Sequence, residues 1–270
     1  MAEMLGVVVC GAAGRMGSAL VRLIHENRAM KLAGAVEFAG NPQIGKDAGE
    51  MSGVEKIGVP IVAEIAPLLK GPVVIVEFTA PDATLAHVRI AAQKGVPIVI
   101  GTTGLNPKQL GEIKKLSRRT RVLISANMSL GVNLLISLMG RVAKTLGDDY
   151  DVEIVEAHHR FKKDAPSGTA LALAQPIAQA LNRDLDQAGV CGRKGIVGER
   201  TKQEIGLLSV RAGDIVGDHT VIFGGLGERV EFIHRAQSRE TFARGALRAA
   251  EWLVKQKNGL YSMQDVLGLK

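Results

Sequence analysis

Short apolar runs recur through the first half of the chain: LGVVVC at 5–10, LAGAVE at 32–37, VVIVEFT at 73–79 and VPIVIGT at 96–102. They are rich in β-branched residues and too short for helices, so each reads as a strand buried on both faces. Helical spacing fills the gaps. Residues 15–27 place Met16, Leu20, Leu23 and Ile24 on one side, 81–94 run up to Gly95, and 106–119 precede a further strand at 122–126. Strand, helix, strand in repetition requires right-handed crossovers and a parallel sheet. Aromatics make up only 3% of the chain, so the core has to be built from Val, Ile, Leu and Ala.

The pattern changes after about residue 128. Residues 130–146 read as one long apolar helix, whereas 151–158, 205–210, 220–223 and 229–234 alternate polar with apolar, and GGLGE (224–228) supplies a turn. Such strands suit an open mixed or antiparallel sheet with one polar face. Residues 240–255 form a last amphipathic helix, and the polar, glycine-rich segment 182–204 reads as a long loop.

The first strand runs into GAAGRMG (11–17), and the first helix follows. Glycines allow a tight turn and close backbone approach, and a helix N-terminus offers N–H groups to a pyrophosphate. The spacing is GxxGxxG rather than GxGxxG, and a plain strand-to-helix turn is the simpler reading. Against it stands Glu37, twenty positions beyond Gly17 at the end of the next strand. Its carboxylate is suited to the hydroxyls of an adenosine ribose. GTTG (101–104) and SANMS (125–129) end two later strands, and with Phe78 and Thr79 they set three strand ends around one crevice. The expected fold class is therefore α/β. A Rossmann-like dinucleotide-binding domain with a parallel sheet covers 1–128, completed by 239–270, and an α+β domain with an open mixed sheet covers 129–238. Glu37 would repel a 2′-phosphate and Phe38 adds no positive charge, leaving Arg15 to offset it. NADH is accordingly preferred over NADPH.

Other function classes recede. No apolar run reaches the ~18 residues of a membrane span. The N-terminal stretch lacks a basic leader, and Cys10 and Cys191 are too few for a disulfide framework. A cytoplasmic protein with no membrane partner is expected, with Cys10 a buried thiol. The net charge of +7 suits either a solvated basic surface or attraction for small anions. No basic run is interleaved with aromatics, so nucleic acid is not an expected partner. No metal-ligand set is assigned.

Residues 156–170 read EAHHRFKKDAPSGTA. Period-two alternation puts Val152, Ile154, Glu156 and His158 on one strand face and turns His159 to the other. Lys162 follows across a turn. Asp164 or Ser167 is placed to cap a helix whose first residues, Gly168 and Thr169, suit an anion. A histidine, a lysine and a helix start together read as a proton-donating, carboxylate-binding site; the alternative is an exposed basic loop.

Together, GAAGRMG, VE (36–37), EFTAPDA (77–83), GTTG, SANMSLGVN (125–133) and EAHHRFKKDAPSGTA resemble the 4-hydroxy-tetrahydrodipicolinate reductase (dihydrodipicolinate reductase) family over essentially the whole chain. The resemblance implies NAD(P)H-dependent reduction of a cyclic imine dicarboxylate, with loss of water, on the diaminopimelate route to lysine. It implies His158 and Lys162 as the catalytic pair, and His159, Gly168 and Thr169 as substrate contacts. Cofactor contacts would be Gly11, Ala12, Ala13, Gly14, Arg15, Met16, Glu37, Phe78, Gly101, Thr102, Thr103, Ser125, Ala126, Asn127 and Met128. It also implies a homotetramer built through the sheet of the second domain, with 129–238 binding substrate. Phe38 stands where some members carry Arg, and Phe161 where some carry a third His. Lys163 is an extra charge beside Lys162. Rival readings are another two-domain amino-acid dehydrogenase and a non-catalytic NAD(H)-sensing protein. If both histidines face the substrate, the strand has to end or twist at 158–159.

Overall fold

Val7, Val8, Val9 and Cys10 of β1 (Leu5–Cys10) are all fully buried, which a strand achieves only where both faces of its sheet are covered. The computed structural model describes residues 4–269. Its contacts divide it into two units, one running up to Leu130 and resuming at Arg239, the other spanning Gly131–Ser238.

In the first unit β1 is joined by β2 (Met30–Val36), β3 (Ile61–Val62), β4 (Val73–Glu77), β5 (Ile98–Ile100), β6 (Arg121–Ile124) and β12 (Gly259–Tyr261). The order is β12-β6-β5-β4-β1-β2-β3, and every pair is parallel. Sequence order reverses between β1 and β4, so the carboxyl edge opens a crevice there. Alternation along β1 sends Val7 and Val9 to one face and Val8 and Cys10 to the other. The first face packs on α1 (Arg15–His25), α8 (Glu240–Leu253) and α9 (Met263–Val266); the second packs on α3 (Pro81–Lys94) and α4 (Pro107–Leu116).

Local signals set the helix ends. Pro81 opens α3, and Gly95 closes it at φ +69°, a conformation glycine adopts without penalty. Asn106 and Gln109 cap α4 reciprocally, Asn106 accepting from Gln109 N and Gln109 from Asn106 N, both at 2.9 Å. The short α2 (Ala48–Met51) hangs on Asp47, whose carboxylate accepts from the N–H groups of Gly49, Glu50, Ile57 and Gly58. The final helix and β12 return to this unit, β12 extending the sheet beside β6.

The second unit builds a five-stranded mixed sheet in the order β11-β10-β7-β9-β8. Its strands are β7 (Asp151–His158), β8 (Gly189–Val190), β9 (Ile205–Arg211), β10 (Gly217–Gly224) and β11 (Arg229–Ala236). β7 runs parallel to β9 and antiparallel to β10. Val152, Ile154, Leu207, Val221 and Phe223 pack on one side against α5 (Leu130–Leu146) and α6 (Gly168–Ala180). The long segment after α6 is less irregular than its composition suggests. It folds into α7 (Leu185–Ala188) and the strand β8 before running without regular structure to residue 204.

Gly245 of α8 is a point of close approach, since a Cβ there would collide with the Met128 carbonyl. Gly245→Ala is therefore expected to destabilise the first unit by about 1–3 kcal/mol. Chemical denaturation would measure this, and an unchanged midpoint would count against the close packing.

Candidate active site

The glycine loop sits at the carboxyl end of β1. Gly11 has φ +78°, and a Cβ on it would strike the Phe78 carbonyl; a Cβ on Gly17 would strike Gly11 O. The loop is folded on itself by Gly14 N donating to Gly11 O at 3.0 Å. Glu37 follows β2, and its Oε1 accepts from Ala13 N at 3.0 Å, so the acidic residue and the loop are held together. A cleft of ≈ 320 Å³ lies here, with Gly11, Gly14, Glu37, Phe38, Phe78 and Thr79 in its walls. The alanine-and-glycine lining, helix N-terminus and carboxylate fit an adenosine diphosphate moiety.

The other residues expected to touch a cofactor divide. A Cβ on Gly101 would strike the Phe78 ring, and Ser125 N donates to Ile100 O, so the β5 and β6 ends adjoin. Arg15, Thr103 and Ala126 are exposed. Ser125 Oγ donates to Asn127 O at 2.7 Å, and Asn127 Oδ1 accepts from Ser129 N, folding that turn on itself. Ala12 and Met128 are core residues, so only their backbones are available to a ligand, and Met16, partly buried, packs against the same core. Thr102 is also buried. Its hydroxyl accepts from Thr79 N at 3.1 Å and is hydrogen-bonded to the Thr84 hydroxyl at 2.8 Å, which makes it part of the frame.

Beneath the cleft lies a group that the sequence reading passed over. Glu77 is fully buried and accepts from His87 Nδ1 at 2.6 Å and from the hydroxyls of Thr79 and Thr84. Cys10, Glu77 and His87 bring possible ligand atoms within 4.8 Å of one another. Burial and the neighbouring Glu77 push the Cys10 thiol well up.

In the second unit β7 ends at His158, which resolves the direction of the adjacent histidines: the strand stops at the pair. His158 stays on the inner face with Glu156, its Nδ1 2.6 Å from Glu156 Oε2. His159 leaves the strand and lies against the Phe161 ring, its Nδ1 buried with no hydrogen-bond partner. A turn, Lys162 N to His159 O at 3.0 Å, brings Lys162 back. Its Nζ is held by both Asp164 oxygens at 2.8 Å, while Lys163 is exposed. Of the two possible helix caps the structure selects Ser167, whose Oγ accepts from Ala170 N at 3.1 Å. Gly168 and Thr169 are the first residues of α6.

Glu156 is 1% exposed and joins these parts. Arg211 donates to both its oxygens at 2.8 Å, and Ser167 N to Oε1 at 3.1 Å. Burial by itself would raise the Glu156 carboxyl, but the Arg211 guanidinium and then His158 outweigh it and hold it at about 2. Burial lowers His158, with Glu156 opposing. His219 of β10, edge-on to His158 at 5.2 Å, is pushed down to about 4 by burial and then by the His158 charge. The Lys162 ammonium holds Asp164 below its ordinary value. Glu156 was legible as a neighbour of His158 from period-two spacing. Arg211 and His219 arrive from β9 and β10, and no local signal announces them.

Comparison with known proteins covers both units. Residues 5–128 match the family model "Dihydrodipicolinate reductase, N-terminus" and residues 131–267 its "C-terminus" counterpart. A 4-hydroxy-tetrahydrodipicolinate reductase of Syntrophus aciditrophicus is 51% identical over 99% of this chain and 100% of its own length. One from Anaeromyxobacter dehalogenans is 49% identical over 99% of each. Among solved structures, a dipicolinate-bound dihydrodipicolinate reductase from Paenisporosarcina is similar, with a TM-score of 0.73 and 26% identity. It covers 97% of this chain and 99% of that one. An amine dehydrogenase from Mycobacterium smegmatis shares the fold alone, at a TM-score of 0.58 and 12% identity over 97% of this chain and 95% of that one.

The buried histidine and carboxylate set an acid dependence. Unfolded, His219 titrates near its ordinary 6.5, whereas folded it does so at about 4. The unfolded chain takes the proton first, so stability falls as the pH drops from 6.5 to 4, by about 3 kcal/mol in all. Glu156 has the depressed-carboxylate sign: its contribution is present above 4.5 and is lost as the pH falls towards about 2. Thermal unfolding across this range is expected to show both stages, and His219→Gln to flatten the upper one, leaving the smaller share of His158 and His234. An unflattened slope would refute the assignment.

Proposed function

The chain belongs to the dihydrodipicolinate reductase family, oxidoreductases of the diaminopimelate route to lysine, and we propose that it reduces 4-hydroxy-tetrahydrodipicolinate with hydride from NADH and a proton from His158 or Lys162. The observation that carries the site assignment is the cluster in which His158, the Ser167 cap of α6 and, through Asp164, Lys162 share one hydrogen-bonded frame. Proton donor, cation and anion-binding helix start are the three things a cyclic imine dicarboxylate requires.

The cofactor fits the first unit. A Cβ on Gly11 would strike the Phe78 carbonyl, so glycine there permits the tight turn that lets backbone approach a pyrophosphate, and the Glu37 oxygens keep lone pairs for ribose hydroxyls beside the Ala13 and Phe38 N–H donors. Gly101–Thr103 and Ser125–Met128 would line the remainder of that edge, Ala12, Thr102 and Met128 by backbone. When bound, the reduced nicotinamide supplies the hydride. Phe38, 67% exposed and uncharged, offers a 2′-phosphate nothing beside the Glu37 carboxylate, which favours NADH.

In the second unit the chain's own residues hold the substrate and manage its proton. A carboxylate would be received by Gly168 and Thr169 at the α6 N-terminus, where the helix dipole favours negative charge. His159 would contribute a ring contact. Loss of the hydroxyl as water leaves a conjugated ring. Hydride adds to one ring carbon, the electron pair shifts to its neighbour, and that carbon takes the proton. Positioning supplies the larger share, ~7–11 kcal/mol, against about 10²–10⁴-fold from a general acid.

Assembly as a homotetramer is part of the same reading. The sheet face opposite α5 and α6 carries Val155, Leu208 and Ile233 in one register row, with Val210 beside them. Ile233 is 51% and Val210 45% exposed, an apolar face that a second copy would cover. Among the described residues no helix is long and apolar enough to cross a membrane, and a cytoplasmic place fits a biosynthetic reductase.

His158→Ala and Lys162→Ala are each expected to lower kcat by about 10²–10⁴-fold while leaving NADH affinity intact. NADH oxidation with enzymatically generated substrate measures this, and two fully active variants would sink the site assignment. The same assay with both cofactors is expected to give a higher kcat/KM with NADH. A strong NADPH preference would overturn the argument from Glu37 and Phe38.

A further inference from the structure

We propose that Glu156 is the positioning residue of the site: its buried carboxylate fixes His158 as the Nδ1–H tautomer and ties that imidazole to the start of α6. This rests on the reading that His158 acts on the substrate.

The hydrogen-bond accounting leaves little freedom. An ionised carboxylate only accepts, so at the 2.6 Å contact the ring nitrogen has to be the donor. Nδ1 therefore carries the proton, and Nε2 of the neutral ring is the free lone pair, or the donating N–H once the ring is charged. Each Glu156 oxygen accepts two bonds. Oε2 takes His158 Nδ1 and Arg211 Nη1; Oε1 takes Arg211 Nη2 and Ser167 N. The carboxylate is thus fixed in rotation, and Arg211 favours its charged form, so it orients the ring without taking the proton itself.

The groups facing His158 come from every packed element. Glu156 is on its own strand, Lys162 on the following loop, Arg211 on β9 and His219 on β10. Glycine at 217 leaves space at the working nitrogen, since a Cβ there would lie 3.1 Å from Nε2. The frame continues outward: Arg211 Nη2 also donates to Asp164 O at 2.6 Å, and the Asp164 carboxylate holds Lys162. His158, the anion-binding helix start and the Lys162 loop are therefore indexed to one charge.

The tautomer can be read directly in the unmodified protein. Ring-¹⁵N histidine NMR, with His158 assigned by its loss in His158→Gln, is expected to show Nδ1 protonated and Nε2 bare above the ring's titration. A dominant Nε2–H tautomer would overturn the proposal, and this holds even if no Glu156 variant folds. In Glu156→Gln the Oε1 position still meets two fixed donors, Arg211 Nη2 and Ser167 N, so the amide carbonyl stays there and the N–H₂ faces Nδ1, which favours the opposite tautomer. The expected loss in kcat is about 10²–10⁴-fold, with NADH affinity unchanged. The limb of the kcat/KM pH profile that reports His158 is expected to move to lower pH, because the anion favouring the imidazolium is gone. A merely structural role would leave that limb in place, and a folded Glu156→Gln with the parent kcat and limb would refute the inference. Activity retained in His158→Ala would instead sink the site reading itself. Loss there beside an unaffected Glu156→Gln would sink this proposal alone.

Discussion

A carboxylate that is 1% exposed has to be fully hydrogen-bonded or it unfolds its surroundings, and Glu156 imposes that condition on the second unit. Its donors come from three places: His158 on the same strand, Arg211 from β9, and Ser167 ahead of α6. His158 and Arg211 are register partners in the parallel pair β7–β9, so the pairing of two strands and the ionisation of one side chain require each other. Ser167 meets a double demand, giving its N–H to Glu156 and its Oγ to the helix. The start of α6 is therefore set by electrostatics as much as by helix propensity.

The first unit solves a similar problem with different chemistry. Glu77 ends β4 fully buried, yet its donors are His87 and the hydroxyls of Thr79 and Thr84, with no arginine. Thr84 continues to Thr102, and so the ends of β4 and β5 and the start of α3 are stitched into one floor. Such stitching is needed at the carboxyl edge of a parallel sheet, where the ladder stops and backbone groups lose their partners. It also keeps rigid the edge at which open α/β folds bind their ligands.

Much of this was readable in advance for physical reasons. Strands buried on both faces need unbroken apolar runs, and β1, β4 and β5 have them. Pro81 and Gly95 bracket α3 because each carries its own backbone constraint. Period two aligned Glu156 with His158 and set His159 apart. The short strands β3 and β12 were missed because two or three residues carry no periodicity, and they pair only because a longer neighbour offers an edge. Met16, Thr102 and Met128 lie on motifs, but a motif names positions and does not say which way a side chain turns.

The sequence by itself determined the layered α/β plan, the strand-to-glycine-loop-to-helix junction with Glu37 in reach, and the segment that carries His158, Lys162 and the α6 start. These depend on spacing within a few residues or on backbone preferences intrinsic to Gly and Pro. Only the tertiary structure decided that Ser167 caps the helix while Asp164 takes Lys162, that Glu77 needs His87, and that Arg211 and His219 complete the surroundings of Glu156. The Lys162–Asp164 pair and the Ser167 cap are local contacts, but they are fixed in place by Glu156, 11 residues before Ser167, and by Arg211, 47 residues beyond Asp164, while His87, Arg211 and His219 stand 10, 55 and 63 residues from the carboxylates they serve. Their energies arise from desolvation, which no residue experiences until the strands and helices that bury it have come together.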